Sequence, residues 1–195
     1  MPRSPEQFEE IRKEKKKLIM DVALELFAKN GFHATSISQI TKQAGISKGL
    51  VYNYFKSKQE ILQEITDGAF NEIYQNFDQN NDGILSPDEF ITFIRKIFRL
   101  VRENSTFWQL YFSLMVQPGV HESFAKEYEE KAKPIMMMMY NFIKENGSKD
   151  PEGDMMVISA LIEGTFLYSI VAPDFFPLDV MEEKVINACF RFISQ

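Results

Sequence analysis

The chain is poor in the residues on which most catalytic and covalent chemistry depends. Its 195 residues include one cysteine, two histidines and one tryptophan. A lone Cys189 excludes an intrachain disulfide and fits a reducing compartment. With only His33 and His121, there is no HExxH pair, and no nucleophile elbow, phosphate-binding glycine loop or CxxC pair occurs. The chain is therefore not expected to be an enzyme. No apolar run approaches the roughly 18 residues of a membrane span. The most apolar early stretch, Leu18 to Ala28, is broken by Asp21 and Glu25, which argues against a signal peptide. Strict alternation of apolar and polar residues, the mark of a half-buried strand, is not sustained anywhere. These absences lead us to expect a cytoplasmic, all-helical protein with no membrane partner.

What is present is apolar mass at helical spacing and an uneven charge. Hydrophobic residues make up 45% of the chain, enough for a sizeable core. Leu18, Ile19, Val22, Ala23, Leu26 and Phe27 repeat on one helical face and stop at Asn30-Gly31. Similar patterns predict helices over 58–77, 87–103, 105–116, 121–146, 152–171 and 178–194, with Pro134 kinking or dividing the fourth of these. The net charge is −6, but residues 1–60 hold 11 basic against 7 acidic side chains and the other 135 hold 11 against 21. A basic head on an acidic body fits a protein that sets one end on phosphate. The basic cluster from Arg12 to Lys17 reads equally as a flexible arm (residues 1–17) or as a solvated helix start.

The segment from Thr35 to Lys58 is the most informative. Ser36 or Thr35 can cap a short helix whose apolar face is Ile37, Ile40 and Ala44. Gly45 suits a tight turn, Ile46 fills the space beneath it, and Ser47 can cap a second short helix that buries Val51 and Phe55. Two short helices around a glycine turn form a helix-turn-helix, whose second helix enters the major groove of DNA.

From Gly31 to Leu62 the chain closely resembles the DNA-binding domain of the tetracycline-repressor (TetR) family of bacterial transcriptional regulators. Phe27, Gly31, Thr35, Ile37, Ile40, Ala44, Gly45, Ser47, Lys48, Gly49, Tyr52, Phe55, Lys58 and Leu62 carry the likeness. Leu50-Val51 departs from it, because family members often place a threonine and a leucine there. The resemblance implies an all-α fold of about nine helices: a three-helix DNA-binding head over residues 1–60 and a helical effector and dimerisation body over 61–195. It also implies a ligand-responsive repressor that binds a pseudo-palindromic operator as a homodimer. Lys48 can reach a guanine edge or a phosphate, Gly49 permits close backbone approach, and Asn53 carries an amide suited to adenine. Ser47 and Leu50 lie on the same short helix. Thr35, Tyr52, Tyr54 and Lys58 match the family's phosphate anchors.

A second motif separates the fourth and fifth helices. Residues 78–89 fit a twelve-position EF-hand calcium loop. Asp78, Asn80 and Asp82 would give side-chain oxygens, Ile84 a backbone carbonyl and Glu89 a bidentate carboxylate. Gly83 would make the sharp turn, Ser86 would act directly or through water, and Leu85 would anchor the loop to the core. Ser86-Pro87-Asp88-Glu89 is also an ordinary capping box. We therefore expect a structural Ca2+ site at this junction. The alternative is an EF-hand protein in which Ca2+ is the regulatory signal or the main function. The presence of a single loop rather than a pair weighs against it.

In the body, Trp108, Tyr111, Phe112, Met115, Met138, Phe142, Phe166 and Tyr168 are candidate linings for a small apolar effector, although such stripes also make plain core. The resemblance places the dimer interface on the last two helices, with Gly164, Val185, Ile186, Cys189 and Phe190 as candidates.

Overall fold

The computed structural model describes residues 4–120, 122 and 125–193, and among these it contains nine helices and no strand. They are α1 (Pro5–Asn30), α2 (Ile37–Ala44), α3 (Lys48–Tyr52), α4 (Lys58–Tyr74), α5 (Pro87–Glu103), α6 (Ser105–Met115), α7 (Ala125–Glu145), α8 (Pro151–Val171) and α9 (Leu178–Ile193). The expected His121 helix start lies outside the described residues. The chain divides into two compact units, 1–70 with 110–125 and 71–109 with 126–195. The first is larger than the 1–60 head expected from the sequence, because the segment around the end of α6 joins it.

In the first unit, α1 begins well before its apolar stripe. Ser4 caps it through the Gln7 amide, Gln7 reciprocates and Pro5 occupies the first turn. The flexible arm is thus corrected from residue 5 onward: Arg12 to Lys17 are helical. Straight-chain Lys, Glu and Arg have good helix propensity and need no apolar partner to continue the turn. The core of this unit gathers Ile19, Ala23, Phe27, Phe32, Ile40, Val51, Phe55 and Ile61, all at most 2% exposed. Phe27 and Phe32 meet edge to face at 5.0 Å.

The second unit is built around α5, which buries Phe90, Ile94, Phe98 and Val101. Phe90 lies 5.1 Å from Phe142 and 5.7 Å from Phe190, and Phe98 lies 5.1 Å from Phe166. The helix α7 continues through Pro134 as one element rather than dividing there. Cys189 is fully buried, and burial pushes its thiol up to about 12, so it stays an unreactive core residue.

The helix α8 revises one expectation from the sequence. It holds an 18-residue window of mean hydropathy 1.5, long and apolar enough to cross a membrane, with 28% of that window buried. Thr165 and Ser169 donate their hydroxyls to the carbonyls of Leu161 and Phe166, so its two buried polar side chains are satisfied within the helix. Ile158, Ile162 and Phe166 face the core, while Met156, Val157, Leu167, Tyr168 and Val171 are exposed.

Candidate functional site

The short helix α3 presents a polar face to solvent because Val51 on it and Phe55 just after it are buried. Val51 and Phe55 are 0% and 1% exposed, which turns Ser47, Lys48, Gly49, Tyr52 and Asn53 outward. Leu50 and Tyr54 are half-buried at the edge of this face. Gly45 ends α2 in the left-handed conformation at φ 65°, and the Ile46 amide donates back to the Thr41 carbonyl. The Ser36 and Ser47 hydroxyls accept from the amides of Gln39 and Leu50, which fixes the start of each helix. The Lys48 ammonium lies 5.9 Å from the Tyr52 ring centre. From α1, Arg12 reaches within 5.9 Å of the Tyr54 ring and Lys16 within 5.6 Å of the Phe55 ring. Lys16 is paired with Glu64 at 2.9 Å, so it is Arg12 that brings positive charge to the edge of this face from a second helix, a contribution that the sequence pattern alone did not localise.

Two residues expected to anchor phosphate turn out to hold the head together. Thr35 is 1% exposed, and its hydroxyl donates to the Gly31 and Leu26 carbonyls at 2.8 and 3.2 Å. The Lys58 ammonium donates to the carbonyls of Phe32, His33 and Thr35 at 2.8, 2.9 and 2.8 Å. It also sits 4.8 Å from the Phe32 ring centre. A lysine has three N–H donors, so none is left for a phosphate. Burial holds the Lys58 ammonium below its ordinary pKa. Both assignments are corrected on these grounds. The side chains close the turn between α1 and α2, whose carbonyls have no helical partners.

Gln117 joins them from far along the chain, and no local pattern points to it. Its Oε1 accepts from the Phe32 amide at 3.0 Å and its Nε2 donates to the Phe27 carbonyl at 2.8 Å. A side chain on Gly119 would meet His33 Nε2 at 3.0 Å, so this turn passes close to the α1–α2 junction.

The loop at 78–89 folds onto its own carboxylates. Asp78 accepts from the amides of Gly83 at 2.8 Å and Asp82 at 3.3 Å. The Asn80 carbonyl oxygen accepts from the Asp82 amide at 3.0 Å, and Asp82 accepts from the Ile84 amide at 2.8 Å. Glu89 is 7% exposed and accepts from the amides of Gln79 and Ser86, both at 2.9 Å, and from the Ser86 hydroxyl at 2.7 Å. Hydrogen bonds from the Ser86 side chain and backbone hold its carboxyl below the ordinary glutamate pKa. Gly83 has φ 78°, and Leu85, 4% exposed, anchors the loop to the core. The oxygen donors suit a hard cation such as Ca2+. Among the described residues, however, no group of three His, Cys, Asp or Glu is gathered as a metal site.

The expected effector and dimer residues fall into different environments. Trp108, Tyr111, Phe142 and Phe166 are buried, Phe112, Met115 and Met138 are half-buried, and Tyr168 is exposed and stacked on Phe176 at 4.9 Å. None of them lines either of the two described cavities. Val185, Ile186 and Cys189 are at most 5% exposed, so the chain's own core already covers them. They are corrected from interface to core, because α9 packs against both α5 and α8. Gly164 and Phe190 are half-buried.

Residues 19–65 match the family described as bacterial regulatory proteins, tetR family. The chain is 32% identical over 133 residues to the HTH-type transcriptional regulator YuxN of Bacillus subtilis (strain 168), covering 67% of this chain and 43% of that protein. It is 31% identical over 84 residues to the fatty acid metabolism regulator protein of the same organism, covering 43% of each. The matched region thus spans under half the length of these two relatives. Among solved structures, it resembles the transcriptional regulator FadR from Bacillus subtilis in complex with stearoyl-CoA. That match has a TM-score of 0.67 at 20% identity and covers 90% of this chain and 98% of the other, which establishes the shared fold.

Proposed function

We propose that this chain, whose residues 19–65 match the tetR family of bacterial regulatory proteins, is a sequence-specific, double-stranded-DNA-binding transcriptional regulator. It acts in the cytoplasm as a ligand-responsive repressor. The observation that carries the reading is the solvent-facing strip of Lys48, Gly49, Tyr52 and Asn53, held rigid from beneath by Val51 and Phe55. In this reading α3 lies in the major groove. Lys48 and Asn53 meet base edges, while Ser47, Tyr52, Tyr54 and the Arg12 guanidinium set the register against phosphate.

So short a recognition helix reads few bases, and a homodimer on a pseudo-palindromic operator doubles them. The exposed apolar side of α8, from Met156 to Val171, supports a second copy packing there. The effector is a small apolar molecule. The similar FadR binds stearoyl-CoA, whose acyl chain is apolar although its coenzyme A head is charged, so a long-chain acyl group is the first apolar moiety to try.

A second reading concerns the loop at 78–89. Ca2+ would be held by Asp78, Asn80, Asp82, the Ile84 carbonyl and Glu89, joining α4 to α5. The twelve-position pattern and the left-handed Gly83 support it. The ion's contribution would be to rigidify the joint. The alternative, in which Ca2+ is itself the signal, requires unequal affinity for the DNA-binding and released states.

Fluorescence anisotropy on DNA from upstream of the protein's own gene tests these readings together, in EDTA and then in millimolar calcium. Specific binding that weakens with salt, and that Lys48→Ala reduces at least about tenfold, is expected. Equal affinity for random DNA would sink the regulator reading. Coincident curves in EDTA and calcium would exclude Ca2+ as the signal. A calcium-induced thermal shift that survives in Glu89→Gln would remove the ion from this loop.

A further inference from the structure

The unit formed by residues 71–109 and 126–195 contains a cleft of about 800 Å³ that DNA binding does not use. Four of its lining residues are cations from α5: Arg95, Lys96, Arg99 and Arg102. Their spacing places them along one strip of the helix, where like charges three and four residues apart repel.

The acidic start of α9 neutralises only the two ends of this strip. Arg95 pairs with Glu183 at 2.7 Å and Glu182 at 3.8 Å, while Arg102 pairs with Asp179 at 2.8 Å and also with Glu182. Neither Lys96 nor Arg99, in the middle of the strip, forms an ion pair with α9, although Glu72 lies near enough to Lys96 to raise its pKa. Lys96 donates to the Gln75 carbonyl at the end of α4, an ordinary capping contact, and only the more distant Glu72 offsets part of its charge. Burial, and then the neighbouring Arg99, hold its ammonium below the ordinary lysine value. Arg99 is exposed, and among the described residues it makes no hydrogen bond or ion pair.

A merely solvated helix face would not explain this arrangement, because the two unpaired cations sit side by side within a concave, partly apolar wall that includes Phe93. Two adjacent cations, with Glu72 offsetting only part of the Lys96 charge, can both be engaged by a phosphomonoester dianion, whereas a monocarboxylate would neutralise one of them. The flat guanidinium fork of Arg99 is suited to two phosphate oxygens at once, and the Lys96 ammonium acts beside it as a point charge.

We propose that this cleft binds a small phosphorylated molecule, with Arg99 and Lys96 holding the phosphate and the α9 carboxylates positioning Arg95 and Arg102 at its margins. This site is independent of the DNA-binding reading and stands or falls separately from it.

Calorimetric titration of the full chain in chloride buffer, with inorganic phosphate and with phenyl phosphate, tests the site. Saturable binding of at least one probe is expected, and Arg99→Gln should weaken it about tenfold, the loss of one charged hydrogen-bonded contact. Arg99 has no partner within the described chain, so its replacement should leave the melting temperature in place. Arg191→Gln, on α9 outside this cleft, should bind as the parent does. Tighter binding of phenyl phosphate would identify an organic phosphate using the Phe93 wall, while equal affinities would identify free phosphate. Absence of saturable binding of either probe, or equal losses in Arg99→Gln and Arg191→Gln, would overturn the proposal.

Discussion

The turn between α2 and α3 and the loop between α4 and α5 both depend on a left-handed glycine, Gly45 at φ 65° and Gly83 at φ 78°. Both lead into a helix capped by a serine hydroxyl, and a buried apolar side chain supports each region, Phe55 just after α3 in one case and Leu85 within the loop in the other. They differ in what becomes of their polar groups. After Gly45, capping engages Ser47, while Lys48, Tyr52 and Asn53 are exposed to solvent. Around Gly83, nearly every side-chain oxygen of Asp78, Asn80, Asp82 and Glu89 accepts from the loop's own backbone. One turn displays its chemistry, while the other closes its own. Similar residue types can thus serve recognition or local architecture, and the donors within reach decide which.

The sharpest way to break this contrast is to remove an anchor. Phe55→Ala should destabilise the first unit by about 3–5 kcal/mol, read by urea denaturation, because it opens a cavity beneath the displayed face. Leu85→Ala should cost less, since its side chain is smaller. A loss at Phe55 below 1 kcal/mol, on the order of a surface change, would mean that α3 is not held from beneath.

Next in size is Lys58→Met. It removes three hydrogen bonds to carbonyls and should cost about 2 kcal/mol, seen as a lower melting temperature, with the salt dependence of DNA binding unchanged. An unaltered melting temperature together with a flatter salt dependence would return Lys58 to the role of a phosphate anchor.

The smallest expected effect is at Glu89. Its carboxyl titrates below its unfolded value of 4.5. The stabilisation it gives is therefore complete above that value and lost as pH falls through the lower folded-state pKa. Glu89→Gln should lose no more than about 1 kcal/mol at pH 7, and the difference from the parent should shrink on acidification below pH 4.5. A difference that grows with falling pH would contradict the capping geometry.

Much of this contrast is legible in the sequence wherever the determinants are local. The serine caps, the glycine turns, the α5 start at Ser86-Pro87 and the inward positions of Ile40, Val51 and Phe55 all follow from spacing within a few residues. Long-range partners do not. The hydroxyl of Thr35 and the ammonium of Lys58 have the chemistry of phosphate ligands, and only the fold reveals the carbonyls that occupy them. Gln117 lies 85 residues from Phe32 and belongs to no pattern. The early part of α1 is a charged helix without an apolar stripe, so periodicity was silent there. The α9 residues Val185, Ile186 and Cys189 show apolar spacing that fits either a core or an interface, and packing against α5 and α8 settles them as core.

The bidentate grip of Gln117 also makes one amide proton a gauge. The N–H of Phe32 is held by a side chain from another part of the chain rather than by its own helix. Its exchange with solvent deuterium therefore reports whether the 110–125 segment remains docked on the α1–α2 junction. Because the same side chain also holds the Phe27 carbonyl, one end cannot release without reorienting the other. Undocking should register as an all-or-none jump at a single resonance rather than as gradual loosening.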